Sequence, residues 1–146
     1  MKVVIYSRYP DNPEQPKGGV ESVTVVLVKA LARLENLDIH LVTLEKNRME
    51  ISVEQHENFI VHRLPGSGWP QVPDILIGPG KYRLKKYVLD MKPDVFHSTE
   101  VFGLTFGRTP FPHIFTLHGF DHEEVLLKKT ILSKPRSVIW LSLIHI

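Results

Sequence analysis

The first third of the chain shows two kinds of hydrophobic pattern in turn. Residues 3–6 form a continuous apolar run with β-branched side chains, which is typical of a strand buried on both faces of a parallel sheet. After a loop with three prolines, apolar residues recur at helical spacing and predict a helix over 20–36. These residues are Val20, Val23, Leu27, Leu31 and Leu34. A second strand is predicted over 38–44, so the chain begins with a strand, a helix and a strand.

The next segment alternates polar and apolar residues. Residues 51–56 and 59–64 follow this alternation and predict two strands with one solvent-facing side. A Gly-Pro-Gly sequence interrupts the chain further on, so the next helix is predicted to begin at Pro79 or Lys81 and to end before Pro93. Its apolar face is expected to consist of Leu84, Tyr87, Val88 and Met91.

Four further elements complete the predicted order. They are a strand over 94–97, a short helix over 100–107, a strand over 113–118 and a helix over 121–132. Strands that alternate with helices are joined by crossovers, which require parallel pairing. The sequence therefore predicts an α/β, doubly wound parallel-sheet (Rossmann-like) domain. Ligands of such sheets bind outside the carboxyl ends of the strands, so the residues of interest are those that follow Tyr6, Phe96 and Leu117.

Composition narrows the functional classes. The 146 residues are 42% hydrophobic and 23% charged, as in soluble globular domains, so a disordered or fibrous protein is excluded. With 18 Lys and Arg against 16 Asp and Glu, the net charge is +2, and no nucleic-acid partner is expected. The chain has no cysteine, which excludes a disulfide framework, a thiolate zinc site and a cysteine nucleophile.

The hydrophobic runs are too short to cross a bilayer, so any membrane contact is expected to be peripheral. The candidate for such contact is a basic cluster in the second predicted helix, formed by Lys81, Arg83, Lys85 and Lys86. A solvated helix face is one interpretation of this cluster, and docking on anionic lipid headgroups is the other. We expect a cytoplasmic protein, with this helix face as the candidate contact at the inner face of the membrane.

A pair of glycines, Gly18 and Gly19, directly precedes the first predicted helix. Glycine lets a bound group approach the backbone closely, and the amides at a helix start favour phosphate or another anionic oxygen. The surrounding sequence is neither a dinucleotide-binding GxGxxG nor a P-loop. These glycines therefore either lie against an anionic ligand or form a plain turn at the start of a helix.

Histidines lie at the carboxyl ends of two of the later strands. His97 is either a core histidine that is hydrogen-bonded to backbone or a polar group that the strand presents at the rim of the sheet. His118 is the stronger functional candidate, because Gly119 lets the chain turn away and leaves the imidazole at the rim of the sheet. A metal site that uses His118 and His122 is not favoured, since ligands four residues apart need a helix to share a face. No metal site is predicted, and no Gly-x-Ser-x-Gly nucleophile motif occurs.

Five short sequences, in this order and at this spacing, resemble the amino-terminal half of a glycosyltransferase family 4 enzyme with the two-domain GT-B fold. They are MKVVIY at the amino terminus, GGVE at 18–21, FIVHRLP at 59–65, KPDVFH at 92–97 and TLHG at 116–119. The resemblance implies a retaining transferase that moves a sugar from a nucleotide-sugar donor to the hydroxyl of a glycan or lipid-linked acceptor. It implies neither a metal ion nor another cofactor.

The resemblance also assigns roles to individual residues. Gly18 and Gly19 are expected near the diphosphate and sugar of the donor, and His118 is expected to face the donor sugar as the catalytic residue. Arg8 and Glu100 are predicted to contact the acceptor, because each follows a strand at the rim of the sheet.

The resemblance covers only part of a two-domain enzyme. The carboxyl-terminal domain of the family, with its basic residues and Glu-x7-Glu motif, is missing from the chain. We expect residues 1–140 to be the acceptor-side domain, incomplete at its carboxyl end and inactive alone. The final sequence LSLIHI, residues 141–146, matches a translation of the transposase end used in sequencing libraries, so we expect it to be a non-native tail.

Two other functions fit the same architecture. A nucleotide-sugar epimerase shares the GT-B fold and would use carboxylates such as Glu100 or Asp121 as acid or base. A non-enzymatic α/β binding module would need only the pocket at the strand ends.

Overall fold

Six strands and two helices make up the described part of the chain in a computed structural model. The structure describes residues 1–46, 48–68, 74, 78–99, 103 and 106–116, all within the unit Met1–Thr116. The strands are β1 (Lys2–Tyr6), β2 (Asp38–Glu45), β3 (Ser52–Gln55), β4 (Phe59–Pro65), β5 (Val95–Ser98) and β6 (His113–Phe115). The helices are α1 (Gly19–Leu31) and α2 (Pro79–Met91).

The strands form one sheet in the order β3-β4-β2-β1-β5-β6. β3 is antiparallel to β4, and the other pairs are parallel. Across the sheet the parallel strands run β4-β2-β1-β5-β6. The chain therefore moves in one direction from β1 to β4 and in the other from β5 to β6, and the winding reverses between β1 and β5. This order confirms the predicted doubly wound α/β domain. It also places the ligand crevice of the sheet outside the carboxyl ends of β1 and β5.

β1 lies inside the sheet because its side chains are apolar toward both faces. The core cluster between α1 and the sheet includes Val3, Ile5, Val25, Val28, Ile39, Leu41 and Val61. The core cluster between α2 and the sheet includes Val4, Tyr6, Val42, Leu64, Leu84, Val88, Phe96 and Phe106. Because successive β1 residues alternate between these two sets, α1 and α2 cover opposite faces. Each buried Val, Leu or Ile side chain stabilises the domain by about 1.5–3 kcal/mol.

α1 is shorter than predicted and buries a different face. The helix ends at Leu31 instead of residue 36, because a turn leads the chain toward β2, with the Leu34 N–H donating to the Leu31 carbonyl at 3.0 Å. The buried side chains of the helix are Thr24, Val25 and Val28. Val23 and Leu34, which belong to the predicted stripe, are exposed. Since residues 23–28 are almost all apolar, their spacing alone cannot identify the face that meets the sheet.

The remaining boundaries agree closely with the sequence. β1 to β5 match their predicted ranges to within one residue at each end, and α2 begins at Pro79. The strand predicted over 113–118 ends at Phe115. Within the helix predicted over 100–107, Gly103 is helical, Phe106 lies in a turn and Gly107 is outside any element. The other residues of that short helix, the helix predicted over 121–132 and the boundary at residue 140 lie outside the described residues.

The start of α2 depends on a buried carboxylate. Asp74 Oδ1 accepts a hydrogen bond from the Gly80 N–H at 3.0 Å, and Asp74 Oδ2 accepts one from the Ser67 hydroxyl at 2.5 Å. A Cβ added at Gly78 would lie 2.0 Å from Asp74 Oδ1, and one added at Gly80 would lie 2.4 Å from Asp74 Oδ2. Both glycines of the Gly-Pro-Gly sequence are therefore required by the space that this carboxylate fills.

A pair of histidines lies under α2. His40 Nδ1 and His62 Nε2 are 2.8 Å apart, and His62 Nδ1 shares a hydrogen bond of 3.0 Å with the Tyr87 hydroxyl. Burial, together with the charges of His40 and Lys2, lowers the pKa of His62 to about 4. The pair is therefore stable with His62 neutral, and protonation of His62 would place a charge in this buried layer.

We predict that protonation of His62 destabilises the domain in mild acid. The unfolded side chain has a pKa of about 6.5, so the neutral form stabilises the fold above that pH. This stabilisation is lost as pH falls from 6.5 toward the folded value of about 4. Urea unfolding should show a loss of about 2 kcal/mol between about pH 7.5 and pH 5 that is absent from a His62→Gln variant. Equal losses in the two proteins would contradict this prediction.

Candidate functional site

A cavity of about 390 Å³ opens at the carboxyl ends of β1, β2 and β4, on the side of β1 away from β5 and thus beside the point where the winding reverses. Its lining consists of Tyr6, Ser7, Arg8, Tyr9, Glu21, Thr43, Leu44, Glu45, Lys46, Gly66, Ser67, Gly68 and Asp74. The strand ends provide the floor, and the loops that follow them provide the walls. Because a doubly wound sheet binds its ligands at this edge, the cavity is the candidate functional site.

Three buried hydroxyls fix the edge of the sheet beside the cavity. Thr99 Oγ1 donates to Ser7 Oγ at 2.5 Å, Ser7 Oγ lies 2.5 Å from Thr24 Oγ1, and Thr24 Oγ1 donates to the Val20 carbonyl at 2.7 Å. This chain of hydrogen bonds joins the ends of β1 and β5 to α1 at the point where the winding reverses. All three hydroxyls are satisfied, so burying them carries little penalty and α1 is held in place against β1.

A buried guanidinium holds one wall of the cavity. The Arg63 side chain is only 3% exposed, and its Nε donates to Glu54 Oε1 at 2.6 Å. Its Nη1 donates to Glu45 Oε1 and, at 3.4 Å, to the Tyr9 carbonyl. Its Nη2 donates to the Pro10 carbonyl at 3.1 Å. One side chain therefore connects β3, β4, the end of β2 and the loop that follows β1.

Both charges of this contact are stabilised. Burial acts to lower the pKa of Arg63, but hydrogen bonds and charge attraction from Glu54 and Glu45 outweigh it and raise that pKa. Burial likewise acts to raise the pKa of Glu45, and the contacts with Arg63 and Arg48 lower it overall. Arg48 Nε donates to Glu45 Oε2 at 2.7 Å, so each oxygen of this carboxylate accepts from an arginine.

The carboxylates in the cavity lining are all held by donors of the protein. Glu21 Oε2 accepts from the Lys17 N–H at 2.7 Å, Glu45 accepts from two arginines, and Asp74 accepts from Ser67 and Gly80. Arg8 and Lys46 contribute exposed cations to the same lining. The cavity thus combines fixed anions, two cations and several hydroxyl groups, a set that can hydrogen-bond to a polar ligand on several sides.

The predicted glycine pair lies at the start of α1, next to this cavity. Gly18 is the N-cap residue with extended backbone, α1 has no side-chain cap, and Glu21 in its first turn lines the cavity. A Cβ added at Gly18 or Gly19 would meet nothing within 4 Å. Neither backbone conformation nor internal packing therefore requires glycine here, and the space that a Cβ would occupy at either position is open.

The structure brings together some of the predicted site residues. Arg8 lines the cavity, and Gly18 and Gly19 are at the same edge of the sheet. Glu100 and His118 lie outside the described residues. His97 Nε2 shares a hydrogen bond of 2.8 Å with the hydroxyl of Thr116, the residue that follows β6. This side-chain contact was not predicted from the sequence.

Sequence reasoning missed Arg63 and Asp74. Arg63 is a cation inside the apolar run FIVHRLP, and a charge at an inward-facing strand position is the signal that could have identified it. Asp74 gives no local signal, because its partners Ser67 and Gly80 lie in different segments.

The basic residues of α2 are mostly engaged within the chain. Arg83 donates to the Pro65 carbonyl at 2.7 Å, Lys85 donates to the Phe106 carbonyl at 2.6 Å, and Lys86 pairs with Asp90 at 2.5 Å. Lipid contact through this helix stays a prediction.

In the part of the chain that the structure describes, no helix is long and apolar enough to cross a membrane. No group of three or more potential ligands within that part is arranged to hold a metal ion.

The comparison with protein families agrees with the fold. The model of Glycosyltransferase Family 4 matches residues 17–144, a range that contains the glycine pair, both described helices and β2 to β6. No curated protein matches the chain. The parallel sheet has the architecture of one half of a GT-B enzyme. The chain belongs to glycosyltransferase family 4.

Proposed function

We propose that this domain serves a retaining glycosyltransferase that moves a sugar from a nucleotide-sugar donor to an acceptor hydroxyl. The observation that carries the proposal is a polar cavity at the carboxyl edge of a family 4 domain, beside a helix start with open space around its two glycines. In the transfer, the acceptor oxygen bonds to the anomeric carbon of the sugar. The bond from that carbon to the diphosphate breaks, and the hydroxyl proton is released.

The cavity is the proposed acceptor site. Its lining has hydroxyls and both signs of charge for the hydroxyl groups of a sugar, and Tyr9 and Leu44 add apolar surface for the ring. Arg8 contributes a cation to this lining and is the proposed acceptor contact. Glu100 follows β5 and is proposed for the same role from its position in the sequence. A glycan and a lipid-linked glycan both offer such hydroxyl groups.

Gly18 and Gly19 are the proposed contact for the donor. The partial positive charge of a helix start and its unpaired amides favour a diphosphate, and the absence of Cβ atoms lets its oxygens approach the backbone. The absence of any packing requirement for these two glycines supports this role over a purely structural one. The donor is a substrate, and no separate cofactor or metal ion is part of the proposal.

His118, three residues after the end of β6 in the sequence, is the proposed catalytic residue. Transfer also needs a second wall that supplies charge for the departing diphosphate and excludes water. We propose that a second domain provides this wall, so that the 146 residues alone are inactive.

The function is tested by assaying the full-length gene product against a panel of radiolabelled nucleotide sugars, with and without glycan and lipid-linked acceptors. We expect a labelled product that depends on acceptor and keeps the anomeric configuration of the donor, as read by NMR. The 146-residue chain should form no product. Conversion of the donor sugar without acceptor would instead indicate an epimerase, and binding without turnover would indicate a binding module.

We predict that Gly19→Ala separates donor binding from folding. Alanine is a better helix former than glycine by about 1 kcal/mol, and its Cβ meets nothing at this position, so the fold should be as stable or slightly more stable. The KM for the nucleotide sugar should rise by about tenfold, because the methyl group holds the diphosphate away from the amides.

Gly107→Ala is the matched control for that prediction. Gly107 has a φ of +65° and open space around it, so alanine there strains the backbone without touching the proposed site. It should lower the melting temperature and leave the donor KM unchanged. An unchanged donor KM in Gly19→Ala would remove the glycine pair from the donor site.

A further inference from the structure

Arg63 lies outside the cavity, yet its partners form part of the cavity wall. Tyr9 and Glu45 both line the cavity, and both accept hydrogen bonds from Arg63. We propose that Arg63 is a positioning residue for acceptor binding: its guanidinium holds segment 9–11 against β2 and β3 and thereby fixes the wall formed by Arg8 and Tyr9. This proposal rests on the proposed function, since it assigns that wall to the acceptor.

Segment 9–11 is attached to the sheet by the buried Tyr9 ring, which packs in the apolar cluster under α1, and by the Arg63 guanidinium, which holds its backbone. The carbonyls of Tyr9 and Pro10 accept from the guanidinium, and Asp11 Oδ1 lies 3.5 Å from Nη1. The Arg63 carbon Cζ also lies 5.7 Å from the centre of the Tyr9 ring. Among the described residues, no backbone-to-backbone hydrogen bond holds Tyr9, Pro10 or Asp11. The backbone of this segment is therefore held by side-chain donors of Arg63 and not by backbone hydrogen bonds of the kind that join the strands.

The planar fork of arginine suits this task. Its N–H groups point in several fixed directions, so one guanidinium reaches Glu54 on one side and the carbonyls of Tyr9 and Pro10 on others. A lysine ammonium keeps the charge but presents its three donors from a single nitrogen. Lysine could thus still neutralise Glu45 and Glu54, but it could not also hold the loop.

Complete removal of the charge is a poor test. Glu45 and Glu54 would then face each other in a partly buried site without a cation, and the domain could fail to fold. Arg63→Lys avoids this problem, because it changes the geometry of the contact and keeps its charge.

Arg48→Lys is the matched control. Arg48 also donates to Glu45, at 2.7 Å, and to the Ser52 hydroxyl, at 2.7 Å. No hydrogen bond or ion pair within the described residues joins it to segment 9–11. The control therefore removes the same kind of arginine contact at the same carboxylate without releasing the loop.

The experiment compares the full-length wild type with the two variants by two readouts. Hydrogen exchange, followed by mass spectrometry, reports the protection of peptides that cover 7–15 and 52–64. Enzyme assays report the transfer of sugar to methyl α-D-glucopyranoside, an uncharged probe acceptor, and the hydrolysis of the donor by water, which needs no acceptor site.

We expect Arg63→Lys to lose protection within 7–15 and to keep it within 52–64. The probe concentration for half-maximal transfer should rise by about tenfold, while donor hydrolysis stays within about twofold of the wild type. Arg48→Lys should match the wild type in the loop and in both assays.

Three results would overturn the inference. They are unchanged protection of 7–15, an unchanged half-maximal probe concentration, and an equal fall of transfer and hydrolysis, which indicates general damage. A wild type that neither transfers nor hydrolyses would contradict the proposed function instead. In that case, the exchange of 7–15 alone decides whether Arg63 positions the segment.

Discussion

Parallel pairing on both sides of β1 is the constraint on which the rest of the structure depends. A strand in this position is covered by helices above and below, and Val4 and Ile5 are accordingly removed from solvent. Polar side chains inside such a sheet need partners within the protein: His40 and His62 share a hydrogen bond, and Arg63 is paired with Glu45 and Glu54. The carboxyl edge, where the chain leaves the sheet, carries the charged and hydroxyl groups that line the cavity.

That edge is organised by contacts between segments that are distant in sequence. The hydroxyls of Ser7, Thr24 and Thr99 join two strands and a helix, and the guanidinium of Arg63 joins three strands and a loop. Each of these four groups is itself buried, so the loss of a partner leaves an unmet hydrogen bond inside the protein. One wall of the cavity and the sheet edge beside it are therefore held by hydrogen bonds, which suits the acceptor site proposed above, where a hydroxyl group must be oriented.

The sequence predicts the fold well, because β-branched runs and the glycines and prolines at the ends of helices are local signals. It places the strands to within a residue and finds the first residue of α2, but it assigns the wrong face and end to α1, whose apolar residues surround the helix. The site is harder to predict. Arg8 is predicted from its position after β1 and lines the cavity, whereas the contacts of Arg63 involve partners 9 to 54 residues away in sequence. The ligand-binding and catalytic roles of Arg8, Gly18, Gly19, Glu100 and His118 remain predictions.

The packing of Asp74 against Gly78 and Gly80 has a consequence for how this sequence can vary. The carboxylate fills the volume in which either glycine would place a side chain, so a mutation at a glycine is blocked while the aspartate is present. Loss of the aspartate removes that barrier and also the group that holds the start of α2. Substitutions at the three positions are therefore coupled. We expect relatives either to keep Asp74, Gly78 and Gly80 or to have replaced all three and to begin this helix with other residues.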